Sequence, residues 1–296
     1  MIALLGGMFR KGLVLTDGAW GTELQKRGLP LGYIADFWNL ENPGPVLEVA
    51  RAYVEAGSRV ILTNTFRANE IALSAHCSKA DIEGINRAGV LLSRNAAAGS
   101  HAKVFASIGP TGRLLADGSV NAGEVRAAFQ RQTAACAQAG ANALLLETFS
   151  DPEEARIALD AAHETGLPVI LSFAYDSGRN KDRTMMGLTP EQSVQLAIEG
   201  KAAGIGANCG VGIDQAVGLC QRLRAAAPDL PIWIKPNAGI PVLENGEVHY
   251  RTDPVTFASY VPALIEAGAT FIGGCCGSNP DFIRAIAAKC PQCGSN

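Results

Sequence analysis

Apolar residues fall along this chain in short, nearly unbroken runs, and each run is followed by a longer stretch with helical spacing. The runs lie at 13–17, 60–64, 103–108, 143–147, 168–174, 205–209, 231–236 and 269–274. The helical stretches lie near 45–57, 79–98, 124–139, 152–164, 190–202, 213–227, 254–267 and 280–289. Continuous rather than alternating apolar runs are what parallel strands need when both of their faces are covered. Gly57, Gly140, Gly166, Gly204 and Gly268 stand between a helical stretch and the next run. Each suits the left-handed position just past a helix end, where a side chain would clash. Helix starts are marked by Asp151-Pro152-Glu153-Glu154, Thr189-Pro190-Glu191-Gln192 and Asn279-Pro280-Asp281, each an N-cap residue followed by proline in the first turn. Eight strand–helix units predict an α/β protein with a (β/α)8 TIM barrel fold. A doubly wound sheet is the alternative, because alternation alone does not show closure. No Gly/Ser or Pro linker divides the chain, so it reads as one domain over residues 1–296 with a core of about 13–289.

Composition narrows the function classes. With 48% apolar and 18% charged residues, the chain is not a disordered one. The net charge is −3, and the 25 Lys and Arg are scattered without a basic patch, which argues against a nucleic-acid partner. Arg10 and Lys11 follow the short apolar segment Met1 to Met8 instead of preceding it, the wrong order for a signal peptide. No uncharged apolar stretch reaches the ~18 residues of a membrane span. A cytoplasmic protein with no membrane partner is the expectation, and a homo-oligomer is compatible with it. Eight cysteines in such a chain are metal ligands or small packing residues rather than a disulfide framework.

Barrel chemistry sits at the C-terminal ends of the strands. There the chain places Cys275-Cys276 on the eighth strand and Cys209 on the sixth, one strand apart. Three thiolates with an open fourth position suit a catalytic zinc ion, the alternative being three ordinary buried cysteines. Gly273, Gly274 and Gly277 would let the backbone bend around the pair. The tail pair Cys290 and Cys293 has no second CxxC to complete a metal site, and free thiols are expected there. Cys77, Cys136 and Cys220 read as packing residues. His76, His101, His163 and His249 have no accompanying nucleophile motif. Asp17 and Glu147 end the first and fourth runs, where a carboxylate can hold a substrate ammonium, act as a base or brace the loops. Asp17 precedes Gly18, whose backbone can turn tightly and offer N–H groups to an anion.

These motifs resemble the homocysteine S-methyltransferase family, which includes betaine–homocysteine and S-methylmethionine–homocysteine methyltransferases and the homocysteine-binding module of cobalamin-dependent methionine synthase. The matching segments are Asp17-Gly18-Ala19-Trp20-Gly21-Thr22-Glu23-Leu24, Thr63-Asn64-Thr65-Phe66, Ser107-Ile108-Gly109-Pro110-Thr111-Gly112 and Leu146-Glu147-Thr148. The most specific are Gly206-Ala207-Asn208-Cys209-Gly210 and Gly273-Gly274-Cys275-Cys276-Gly277. The resemblance implies a zinc-dependent enzyme that moves a methyl group to the thiol of homocysteine, giving methionine. It implies zinc on Cys209, Cys275 and Cys276, the homocysteine ammonium on Glu147 and Asp17, its carboxylate near Gly18, and Asn208 bracing the site. Thr148 departs from the animal betaine enzymes, which carry Tyr there, whereas the segments 36–40 and 183–187 are similar to bacterial betaine-type and methionine-synthase-type members. The methyl donor expected is a small onium compound, betaine-like or a sulfonium. A cation could rest on rings near the mouth among Trp20, Trp38, Phe66 and Tyr175, with Trp38 the residue assigned to the donor. The alternative is a methyltransferase component of a corrinoid- or folate-linked system, with a corrinoid protein as partner; a non-catalytic thiol-binding barrel is a third reading.

Overall fold

The computed structural model describes residues 4–9, 12–244 and 247–290. Among these residues, ten strands run in the order β1 (Val14–Leu15), β2 (Val60–Leu62), β3 (Lys103–Ile108), β4 (Ala143–Phe149), β5 (Val169–Phe173), β6 (Gly204–Gly212), β7 (Ile232–Asn237), β8 (Pro241–Glu244), β9 (Glu247–Tyr250) and β10 (Phe271–Ile272). Eight of them form one sheet in the order β1-β10-β7-β6-β5-β4-β3-β2, and every pairing in it is parallel. The ends of that sheet meet. Arg59 N–H donates to the Leu15 carbonyl at 2.8 Å, and Leu62 N–H donates to Asp17 Oδ2 at 2.7 Å. A side chain therefore stands in for part of the ladder at the β1–β2 seam, and the eight parallel strands make a nearly closed TIM barrel instead of an open doubly wound sheet. The helical stretches fall where the periodicity places them. Asp151, Thr189 and Asn279 each cap their helix by accepting backbone N–H groups.

Three differences have local causes. The stretch 254–267 is two helices, Pro254–Ser259 and Val261–Glu266, because Pro262 lacks an N–H and its ring crowds the preceding turn. Gly57, Gly140, Gly166 and Gly268 do take positive φ, but before β6 the left-handed residue is Lys201 (φ 55°), and Gly204 begins the strand. A two-stranded hairpin, β8 with β9, follows β7; its apolar residues are too few to announce it.

The barrel interior is filled from below. Val14, Val60, Leu62, Phe105, Ala143, Leu145, Ile170, Trp233 and Phe271 pack together, with Leu5 and Phe9 joining them from the N-terminal segment. The rings of Phe105, Trp233, Phe271 and Phe9 lie 5.3–6.4 Å apart, the spacing of favourable aromatic pairs. A second, larger apolar cluster fills the layer between strands and helices. Among the described residues, no helix is long and apolar enough to cross a membrane.

Candidate active site at the barrel mouth

Polar side chains replace the rings one pleat higher. In a strand, residues two apart share a face. Ser107, Glu147, Ser172, Asn208 and Lys235 thus project on the same side as Phe105, Leu145, Ile170, Gly206 and Trp233, and all five are buried. They are joined across strands. Ser107 Oγ donates to Glu147 Oε1, Ser172 Oγ donates to Asn208 Oδ1 at 2.6 Å, and Asn208 Nδ2 lies 3.5 Å from Glu147 Oε2. Burial pushes the Glu147 carboxyl above its ordinary range, while the Lys235 charge and the Ser107 hydroxyl oppose that rise.

Two irregularities aim these groups. The β4–β5 register shifts between Leu146 and Phe149, and the β6–β7 register shifts between Asn208 and Gly212. At each shift a non-glycine residue takes positive φ, Thr148 at 65° and Cys209 at 57°. Such conformations cost of order 1–3 kcal/mol and concentrate at functional sites, and bulges commonly re-aim side chains there. Asn208 secures the first one: its Oδ1 accepts from Thr148 N–H at 2.9 Å and its Nδ2 donates to Thr148 Oγ1 at 2.7 Å.

The second irregularity carries Cys209 toward Cys275 and Cys276. The three sulfurs lie within 4.8 Å of one another, with Cys209 and Cys276 Sγ 3.8 Å apart, and all three thiols are free. Tetrahedral zinc with bonds of about 2.3 Å sets its sulfurs roughly 3.8 Å apart, so the trio fits that ion. Protons are shared within the trio: hydrogen bonds from Cys275 and Cys276 pull the Cys209 thiol down, and the bond to Cys209 pushes the other two up. Of the three glycines around the pair, only Gly277 takes positive φ. Gly273 and Gly274 are needed for room, since a Cβ would strike Thr16 Oγ1 at the first and Ser278 Oγ at the second. The Tyr250 ring from β9 lies against Gly277, and desolvation and Cys276 raise its hydroxyl.

The remaining sequence candidates are placed as follows. Asp17 is 0% exposed and ion-pairs with Lys235. A Cβ on Gly18 would meet the Tyr53 hydroxyl and Ser278 Oγ, so the loop there is tightly packed. Trp38 is 8% exposed and belongs to the large strand–helix cluster, and Tyr175 is buried with its hydroxyl bonded to Ser193. Trp20 and Phe66 are half-buried. Cys136 and Cys220 are buried packing residues, but Cys77 is exposed, because its segment lies outside the helices. Cys290 is disulfide-bonded and not a free thiol: it is buried at the end of the last helix, with its N–H on the Ala287 carbonyl, and not frayed. Cys293 lies outside the described residues. Sequence reasoning missed Lys235, whose one signal is a lone charge inside the apolar run 231–236.

Comparison with known proteins shows the fold and the family. The chain is 29% identical to methionine synthase of Mycobacterium leprae over 95% of its length, covering 24% of that protein. It is 28% identical to methionine synthase of Mycobacterium tuberculosis, again over 24% of that protein. The chain thus spans about a quarter of the length of these curated relatives. The metallated form of the homocysteine methyltransferase MmuM from Escherichia coli superposes with a TM-score of 0.78 at 25% identity, covering 95% of this chain and 97% of that one. The structure of DHDPS from Cyanidioschyzon merolae, at 17% identity and a TM-score of 0.52, shares the fold alone. The family model for homocysteine S-methyltransferase matches residues 14–290, from β1 to the end of the last helix, and the chain belongs to that family.

Proposed function

We propose that this chain transfers a methyl group from a small onium donor, betaine-like or a sulfonium, to the sulfur of homocysteine, giving methionine. The observation that carries the reading is the thiol trio of Cys209, Cys275 and Cys276 beside the buried Glu147 in one barrel mouth. Those three cysteines would hold zinc. When bound, zinc supplies a Lewis acid that keeps a coordinated thiol as thiolate at neutral pH, although a free thiol has a pKa near 8.5. Glu147 receives the homocysteine ammonium, which its buried charge favours. Backbone N–H groups around Gly18 receive the carboxylate. Asn208 holds the Glu147–Thr148 turn and the start of the Cys209 bulge in one arrangement. With both ends of homocysteine fixed, its sulfur attacks the donor's methyl carbon in line. A carbon–nitrogen or carbon–sulfur bond breaks, the electron pair leaves with the amine or sulfide, and the thiol proton goes to solvent. No general base acts on the methyl group, so this step asks for no histidine.

Purified protein supplied with zinc, homocysteine and either glycine betaine or a methylsulfonium compound should form methionine. A second reading draws on the likeness to methionine synthases far longer than this chain: the methyl group would then come from a corrinoid protein partner. Methionine formed from a methylated corrinoid protein and from no onium compound would decide for that reading.

A further inference from the structure

Two carboxylates end strands at the mouth, and they are in different states. The Asp17 carboxylate, with no accessible surface, takes three donors: the Lys235 ammonium on Oδ1, and the Leu62 N–H (2.7 Å) and the Trp20 indole N–H (2.8 Å) on Oδ2. These donors come from β7, from β2 and from the loop after β1, so Asp17 is tied to both sides of the barrel seam. Glu147 is 8% exposed and, among the described residues, takes only neutral donors, the Ser107 hydroxyl and the Asn208 amide. Lys235, 2% exposed, acts on Glu147 only through space. A buried carboxylate already paired with a buried ammonium presents no net charge to a second ammonium, whereas an unpaired one does.

We infer that Lys235 is a positioning residue. It neutralises Asp17, fixes it as the brace of the β1–β2 seam, and leaves Glu147 as the single carboxylate open to the substrate's ammonium. The inference rests on the homocysteine reading and narrows it, since the resemblance alone would divide the ammonium between both acids. It also predicts a specific failure. Without the Asp17 charge, Lys235 has Glu147 as its nearest counter-ion and would cancel the charge that the substrate needs.

The test is calorimetric titration of the full chain, supplied with zinc, with homocysteine and with 4-mercaptobutanoate, which lacks the amino group. The readout is the ratio of the two affinities, which a merely structural loss would leave unchanged because both ligands would weaken alike. Asp17→Asn should lower the ratio by at least about tenfold. Adding Lys235→Met to Asp17→Asn should return it to within about threefold of the native value, a recovery of the kind that marks coupled residues. If that pair does not fold, Asp17→Asn with Lys235→Gln keeps two hydrogen-bonding amides in place and carries the same two outcomes. A double variant that stays as low as Asp17→Asn would show Asp17 itself receiving the ammonium, and the inference would fall while the homocysteine reading stood. Native protein that binds no homocysteine would overturn both.

Discussion

The lower and upper layers of the barrel interior are built by the same strands, one pleat or about 6.6 Å apart, yet they do opposite things. Below, Phe105, Leu145, Ile170, Trp233 and Phe271 pack as one apolar cluster. Above, Ser107, Glu147, Ser172, Asn208 and Lys235 are as deeply buried but meet through hydrogen bonds and charge. Apolar burial stabilises at roughly 25 cal/mol per Å² and asks for no particular partner. Buried polar groups return little net stability and cost several kcal/mol when a partner is lost. The lower layer is therefore where this fold is held, and the upper layer is where a ligand can be discriminated.

The largest effect should separate the layers completely. Cys209→Ala removes one of three sulfurs at the half-buried bulge of β6, so retained zinc and methionine formation should both disappear. The unfolding free energy of metal-free protein should move by less than about 1 kcal/mol. Metal analysis with parallel denaturant unfolding checks this, and full zinc retention would remove Cys209 from the ligand set. Next, Trp233→Ala should cost about 3–5 kcal/mol of stability, while the fraction that remains folded binds homocysteine with native affinity. A change in that affinity comparable to the stability loss would show that the layers are not independent.

Glu147→Gln tests the converse. Homocysteine binding should weaken by about a hundredfold, near 2.7 kcal/mol, with zinc content unchanged. Stability should not fall with it. Burial holds the Glu147 carboxyl above its ordinary range, so the fold favours its protonated form. The native protein then loses stability as the pH rises from about 4 through the raised value. The variant lacks that loss, so it should be at least as stable as the native protein at pH 8, with the difference vanishing near pH 4. Denaturant midpoints across that range decide it. The smallest effect concerns Trp233 Nε1, which has no hydrogen-bond partner among the described residues. Trp233→Phe removes that orphan donor along with some ring surface, and the two terms oppose. A net cost under about 1.5 kcal/mol is expected, and a loss as large as that of Trp233→Ala would mean that the indole N–H is satisfied after all.

The amino-acid sequence by itself determined what depends on neighbours along the chain. Continuous apolar runs fixed the strands, Asp151, Thr189 and Asn279 fixed helix starts, and the polar strand ends marked the mouth, because periodicity and capping act within a few residues. The thiol positions Cys209, Cys275 and Cys276 were legible for the same reason, as polar interruptions at strand ends of a repeating unit. Only the tertiary structure decided what the ring closure brings together. The bulges that swing Thr148 and Cys209 into left-handed backbone depend on register with β5 and β7. Trp38 reads as a mouth residue in its loop but is drawn into the strand–helix core by packing. The Lys235–Asp17 pair joins residues 218 positions apart. A lone lysine in an apolar run shows that its charge must be compensated, but its partner is set by which strand ends face each other across the finished barrel.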